Sequence, residues 1–187
     1  TDWSSVDTKI KGALTDATGT VYLVSNTIAS PSTRKAIGQL SSKYPKLVHV
    51  EYDQFSSSGA LNANAKVFGK RALPSYKYDQ AKTIVSFGAD FLGNDANTPL
   101  NNRQFAAGRK LTGGKNDMSR LYAFESILSL TGANADYRMP IKPSEQGAYV
   151  AALYNAIAAK TGAESISAAK VADTKILDKA AKDLLAS

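Results

Sequence analysis

The stretch Leu121–Ala151, LYAFESILSLTGANADYRMPIKPSEQGAYVA, decides how this chain is read. An apolar, aromatic-rich segment from Ser119 to Phe124 runs into a loop of small and hydroxylated residues. A second extended segment follows from Tyr137 to Ile141, and a helix start comes at Ser144. Strand, loop, strand and helix in such close succession place a loop at the carboxyl ends of two neighbouring strands. Open α/β sheets hold nucleotide-type ligands there.

Outward from that stretch, helical and extended patterns alternate. Val6, Ile10, Ala13 and Leu14 recur at helical spacing between Trp3 and Ala17, behind the capping residues Asp2 or Ser4. Val21 to Val24 is a short apolar run suited to a buried strand. Pro31 is placed for the first turn of a helix reaching Tyr44. Leu47 to Tyr52 and Thr83 to Phe87 read as the second and third strands, with Ser119 to Phe124 and Tyr137 to Ile141 as the fourth and fifth. Helices are expected over about Ser57 to Phe68, Thr98 to Lys110 and Ser144 to Lys160. This alternation predicts an α/β fold: a doubly wound, mainly parallel five-stranded sheet of order 2-1-3-4-5, with right-handed crossovers and helices on both faces. Residues 1–160 are expected to form that domain. Residues 161–187 are expected to be a linker and a C-terminal packing helix, with Ile176, Ala180 and Leu184 on its apolar side.

Composition narrows the chemistry. A chain of 187 residues, 43% hydrophobic, supports a real core, and no apolar run is long enough to span a bilayer. With no Cys there is no disulfide, no iron–sulfur ligand set and no thiolate zinc site; one His and scattered carboxylates do not suggest a metal centre. A start at Thr1, without a basic-then-apolar leader, suggests either a processed chain or, the favoured reading, a domain excised from a longer protein. The net charge of +7 is spread along the chain without aromatic platforms, which argues for a solvated surface or a face for an acidic partner and against nucleic acid. The turn TGGKND, residues 112–117, lacks the spacing of a phosphate-binding Walker loop.

The candidate site residues lie at strand ends. Gly88 and Asp90 follow the third strand, where a glycine lets a ligand approach the backbone or simply permits a bend. Glu125 ends the fourth strand, and Ser129 and Thr131 carry hydroxyls able to donate to phosphate. Ser144, Glu145 and Gln146 open the last major helix, Ser144 as a cap and Glu145 at its positive end. His49 lies within an apolar strand and reads as a satisfied sheet histidine. Asp53, Asp79, Asp90 and Asp95 show no spacing that would pair carboxylates for acid–base work.

These residues resemble the molybdopterin oxidoreductase superfamily of DMSO reductases and formate dehydrogenases. There, an Asp-Pro-Arg-x-Thr-x-Thr-Ala loop, an Ala-Asp pair and an Arg-Pro-Gly-Thr-Asp helix start follow one another. Here the loop is carried by Glu125, Ser126, Ile127, Ser129, Thr131 and Gly132, the pair by Ala135 and Asp136, and the helix start by Lys142, Pro143, Ser144, Glu145 and Gln146. Ile127 stands at the family's Arg, Gln146 at its guanine-recognising Asp, and Asp90 at the Asn of its Gly-Ser-Asn-Pro loop. The serine run Ser56, Ser57 and Ser58 falls where the superfamily places a molybdenum ligand.

Within the superfamily, SFGADFLGN, NNRQFAAGRK and SLTGANADYRMPIKPSEQGA look most like the large molybdopterin-oxidoreductase-like iron–sulfur subunit of alternative complex III, a bacterial quinol:acceptor oxidoreductase. The resemblance implies a scaffold domain with no cofactor of its own and iron–sulfur clusters elsewhere in the parent chain. It implies partners among the parent's other domains and the subunits of a membrane-bound respiratory complex, at the periplasmic face of the bacterial inner membrane. The alternative is a domain that binds molybdopterin guanine dinucleotide in an active molybdenum enzyme, using Gly88, Asp90, Glu125, Ser129, Thr131 and Gln146. A stand-alone module for a small ligand is the third reading. Phe91, Ile127 and Leu128 are expected to fill the space a cofactor would take.

Overall fold

A computed structural model describes residues 2–187. The chain divides into two compact units, Thr1–Pro74 and Ser75–Ser187, each of mixed α/β structure. The C-terminal helix buries its apolar face in the core of the second unit.

The first unit contains α1 (Trp3–Asp16), β1 (Val21–Ser25), α2 (Pro31–Lys43), β2 (Leu47–Glu51) and α3 (Ser58–Phe68). Asp2 caps α1 by accepting the Ser5 amide at 2.8 Å, and Pro31 occupies the first turn of α2. Gly69, with φ of 69°, ends α3 in the left-handed conformation that glycine adopts without strain. β1 and β2 pair in parallel from Val21 opposite Leu47 to Ser25 opposite Glu51. Successive side chains alternate between faces, so Tyr22 and Val24 are both 64% exposed. β1 is therefore half exposed and not the buried strand its apolar run suggested.

The second unit contains β3 (Thr83–Phe87), α4 (Thr98–Arg109), β4 (Arg120–Glu125), α5 (Leu130–Ala133), β5 (Tyr137–Pro140), a 3₁₀ turn (Pro143–Glu145), α6 (Gln146–Thr161) and α7 (Lys175–Leu185). Its sheet is parallel, in the order β3-β4-β5. β4 is paired on both edges and covered on both faces, which explains its nearly continuous apolar sequence. Tyr122 and Phe124 pack with Tyr149 and Leu153 of α6 and Leu177 and Ala180 of α7. Leu121 faces the opposite layer, with Ile84, Phe91 and Phe105. Each buried Leu, Ile or Phe among them contributes about 1.5–3 kcal/mol by leaving water. The Tyr122 hydroxyl, carried into this core, donates to Asp183 Oδ2 of α7 at 2.5 Å, and Arg120 pairs with the same carboxylate. Burial, followed by that contact, raises the Tyr122 pKa.

All five expected strands are present, and the neighbour relations 2-1 and 3-4-5 hold. They form sheets of two and three strands, however, in place of one continuous five-stranded sheet. Parallel strands carry no alternation that says which edges join, and an irregular segment, residues 69–82, separates α3 from β3. No helix among the described residues is long and apolar enough to cross a membrane.

Candidate functional site

The loops after β3 and β4 meet at the carboxyl ends of the strands. Gly88, with φ of 64°, donates its amide to the carbonyl of Phe124 at 2.8 Å, joining the end of β3 to β4. Gln146, at the start of α6, lies against this glycine: a Cβ on Gly88 would fall 2.1 Å from Gln146 Nε2. Two residues on, Asp90 Oδ1 accepts both the backbone amide of Thr131 at 3.0 Å and its hydroxyl at 2.9 Å. Thr131 is fully buried, and its Oγ1 in turn accepts the amide of Leu92 at 3.0 Å. The chain from Asp90 to Leu92 is thereby fastened to the start of α5.

Glu125 forms the second half of the site. It is 6% exposed, yet it ends β4 as a carboxylate. Its Oε1 accepts the Ser129 amide at 3.2 Å and pairs with Arg138 Nε at 2.6 Å; its Oε2 accepts the Ser129 hydroxyl at 2.5 Å. Burial pushes this carboxyl up, but Arg138 and Ser129 outweigh it and hold it below the usual carboxylate range. The Ser129 hydroxyl also accepts the Gly132 amide at 3.0 Å, capping α5. Gly132 has to be glycine for the carboxylate to fit, since a Cβ there would lie 1.7 Å from Glu125 Oε1.

The six expected site residues thus fall into one cluster around the strand ends, but their chemistry is turned inward. Both hydroxyls proposed for phosphate, Ser129 and Thr131, donate to the protein's own carboxylates, and the nearby amides are bonded too. Two carboxylates facing those donors repel a phosphate group. The donor set therefore does not fit an anionic pterin dinucleotide. Among the described residues, no three His, Asp or Glu side chains gather as a metal site.

Phe91 is buried as expected, at 3% exposure, packed against Tyr78 and Phe105. Ile127 and Leu128 do not fill the crevice; they are 76% and 67% exposed, and Leu130 is exposed beside them. The space is closed by the Asp90–Thr131 and Glu125–Ser129 hydrogen bonds, which leave these aliphatic side chains on the outside of the loop. Ser144 does not cap α6. It lies within the 3₁₀ turn, where Glu145 accepts the Lys142 amide at 3.3 Å. In the first unit, His49 Nε2 lies 2.9 Å from Ser25 Oγ within the sheet, and Ser56 and Ser58 bond each other at the start of α3.

Four partners escaped the sequence reading. Arg138 sits on β5, one strand over from Glu125, and a lone cation in a short extended segment beside a strand-ending acid was the available signal. Arg109 of α4 grips Asp136 through both guanidinium nitrogens, at 2.7 and 2.8 Å, while Asp136 accepts the Leu121 amide at 2.8 Å. The Asp136 carboxyl, pushed up by burial, is pulled below its ordinary value by these contacts. Asn101 and Asn102 donate to the carbonyls of Phe91 and Leu92, at 3.2 and 2.9 Å. No sequence signal marked either.

Together, fold and site define a parallel α/β protein whose strand-end crevice is sealed by its own side chains. Neither a model of a known family nor a curated protein matches the chain.

Proposed function

We propose that this chain is a cofactor-free scaffold and docking domain within a longer oxidoreductase subunit, of the kind found in alternative complex III. The observation that carries this reading is the inward use of the strand-end donors. Asp90 and Glu125 accept the hydrogen bonds that would otherwise be offered to an anion, and Ser129, Thr131 and their amides are satisfied without a ligand. Buried donors already paired gain little from a new partner, and removing the resident carboxylates leaves charges to accommodate. The outward loop residues Ile127, Leu128 and Leu130 supply instead an exposed aliphatic patch, the feature by which surfaces engage other protein.

On this proposal, electron transfer belongs to iron–sulfur clusters in another part of the parent chain. The partners are its other domains and the subunits of a periplasm-facing respiratory complex. The test is calorimetric titration of the purified chain with GDP and with molybdopterin guanine dinucleotide, together with metal analysis. Heats no larger than dilution and no stoichiometric molybdenum are expected. Saturable binding of either nucleotide at micromolar strength overturns the reading in favour of a working cofactor domain.

A further inference from the structure

A groove of about 710 Å³ runs between α6 and α7, lined by Ala156, Lys160, Asp178, Ala181, Lys182 and Leu185. The α7 residues are spaced i, i+3, i+4 and i+7, so they form a single stripe, and Ala156 and Lys160 form the matching i, i+4 stripe on α6. The groove exists because its floor is alanine: buried Ala181 and half-buried Ala156 stand where leucine would close the gap. Leu185, 43% exposed, forms an apolar wall in contact with water. Lys160 and Lys182 are exposed at the rim, and among the described residues neither has a carboxylate within ion-pairing distance. Asp178, the one acid of the lining, accepts the Thr174 hydroxyl at 2.8 Å and keeps its negative charge, so Lys160 and Lys182 together leave the lining positive on balance.

We propose that this α6–α7 groove binds a single-chain anionic amphiphile, a free fatty acid, with its alkyl chain along Ala156, Ala181 and Leu185 and its carboxylate between Lys160 and Lys182. The volume lies within the range of small-molecule sites, and apolar lining with a few convergent polar groups is their usual composition. The lining offers no aromatic ring to stack a base or sugar, which leaves an alkyl chain as the matching apolar part. Two flexible ammonium groups suit a compact anionic head left at the edge of water. The inference is independent of the scaffold reading, since none of these residues belongs to the strand-end loops.

The test titrates the whole chain with laurate below its micellar concentration, with dodecyltrimethylammonium as the cationic control. Two variants are used: Lys160→Glu with Lys182→Glu, both exposed, and Ala156→Leu, which fills the groove. Far-UV circular dichroism and thermal melting establish that each is folded. One laurate per chain is expected, weakened at least about tenfold by the charge reversal and also by Ala156→Leu, with the cationic control binding poorly to the wild type. Absence of saturable laurate binding up to about 1 mM overturns the proposal. So does weakening by only one of the two variants: charge reversal alone means diffuse surface attraction, and groove filling alone means a site indifferent to the head group. Equal binding of the cationic control overturns it as well.

Discussion

Replacing Gly132 with alanine tests the interior of the strand-end site directly. The added Cβ would lie 1.7 Å from Glu125 Oε1 and 2.4 Å from its carboxyl carbon, so the carboxylate must move. Moving it breaks the Ser129 and Arg138 contacts of a residue 6% exposed. Loss of a charge-assisted hydrogen bond costs about 1.5–3 kcal/mol, and stripping a buried charge of its partner costs about 3–5 kcal/mol. Arg138 keeps some access to water, which places the cost toward the lower figures. Alanine returns at most about 1 kcal/mol of helix propensity. A net destabilisation of about 2–3 kcal/mol is expected, a fall in Tm of roughly 5–10 °C for a protein of this size. Urea unfolding followed by circular dichroism measures it in Gly132→Ala, Glu125→Ala and the double variant. With the carboxylate gone the alanine has room, so Gly132→Ala is expected to be nearly neutral in the Glu125→Ala background. A Gly132→Ala cost that is below about 0.5 kcal/mol, or the same in both backgrounds, refutes the reasoning.

Other predictions follow from the same geometry. Gly88→Ala meets both a left-handed φ and the Gln146 side chain, so it is expected to cost about 1–3 kcal/mol; removing the amide in Gly88→Ala with Gln146→Ala recovers only the steric part, as chemical denaturation will read. Ile127→Arg places a cation on a side chain 76% exposed, and is expected to change stability by no more than about 0.5 kcal/mol while conferring no GDP-dependent thermal shift. Asp136 has a folded-state pKa below its unfolded one, so its contribution is complete above the ordinary carboxylate range and is lost as pH falls through the lowered value. Asp136→Asn is therefore expected to lower stability at neutral pH and to flatten the acid limb of a stability–pH profile. Thr131→Val, which strips a fully buried hydroxyl from Asp90 and the Leu92 amide, is expected to cost about 1–3 kcal/mol by urea unfolding.

The α/β class and the position of its elements were legible because they are local. Val6, Ile10 and Leu14 at helical spacing, Pro31 in a first turn and the unbroken apolar run of β4 each state a structure within a few residues. The four-residue α5 was missed because one turn is too short to show a period; only Ser129 as its cap hinted at it. That Gly88, Asp90, Glu125, Ser129, Thr131 and Gln146 share one end of the sheet followed from each standing at a strand end or helix start. Their chemistry did not. Asp90 finds Thr131 across 41 positions and Glu125 finds Arg138 across a strand boundary. Ile127 turns outward because those bonds, not apolar filling, close the loop.

What the sequence by itself determined was the strands and the longer helices, their parallel character and the place of the crevice, since each depends on backbone preferences and side-chain periodicity along a short segment. Only the tertiary structure decided that the strands form two sheets, that α7 belongs to the second core, and that the crevice donors face the protein's own carboxylates. The reason is physical: edge pairing and hydrogen bonding depend on positions set to a fraction of an ångström by residues far apart in the chain, and no local pattern carries that distance.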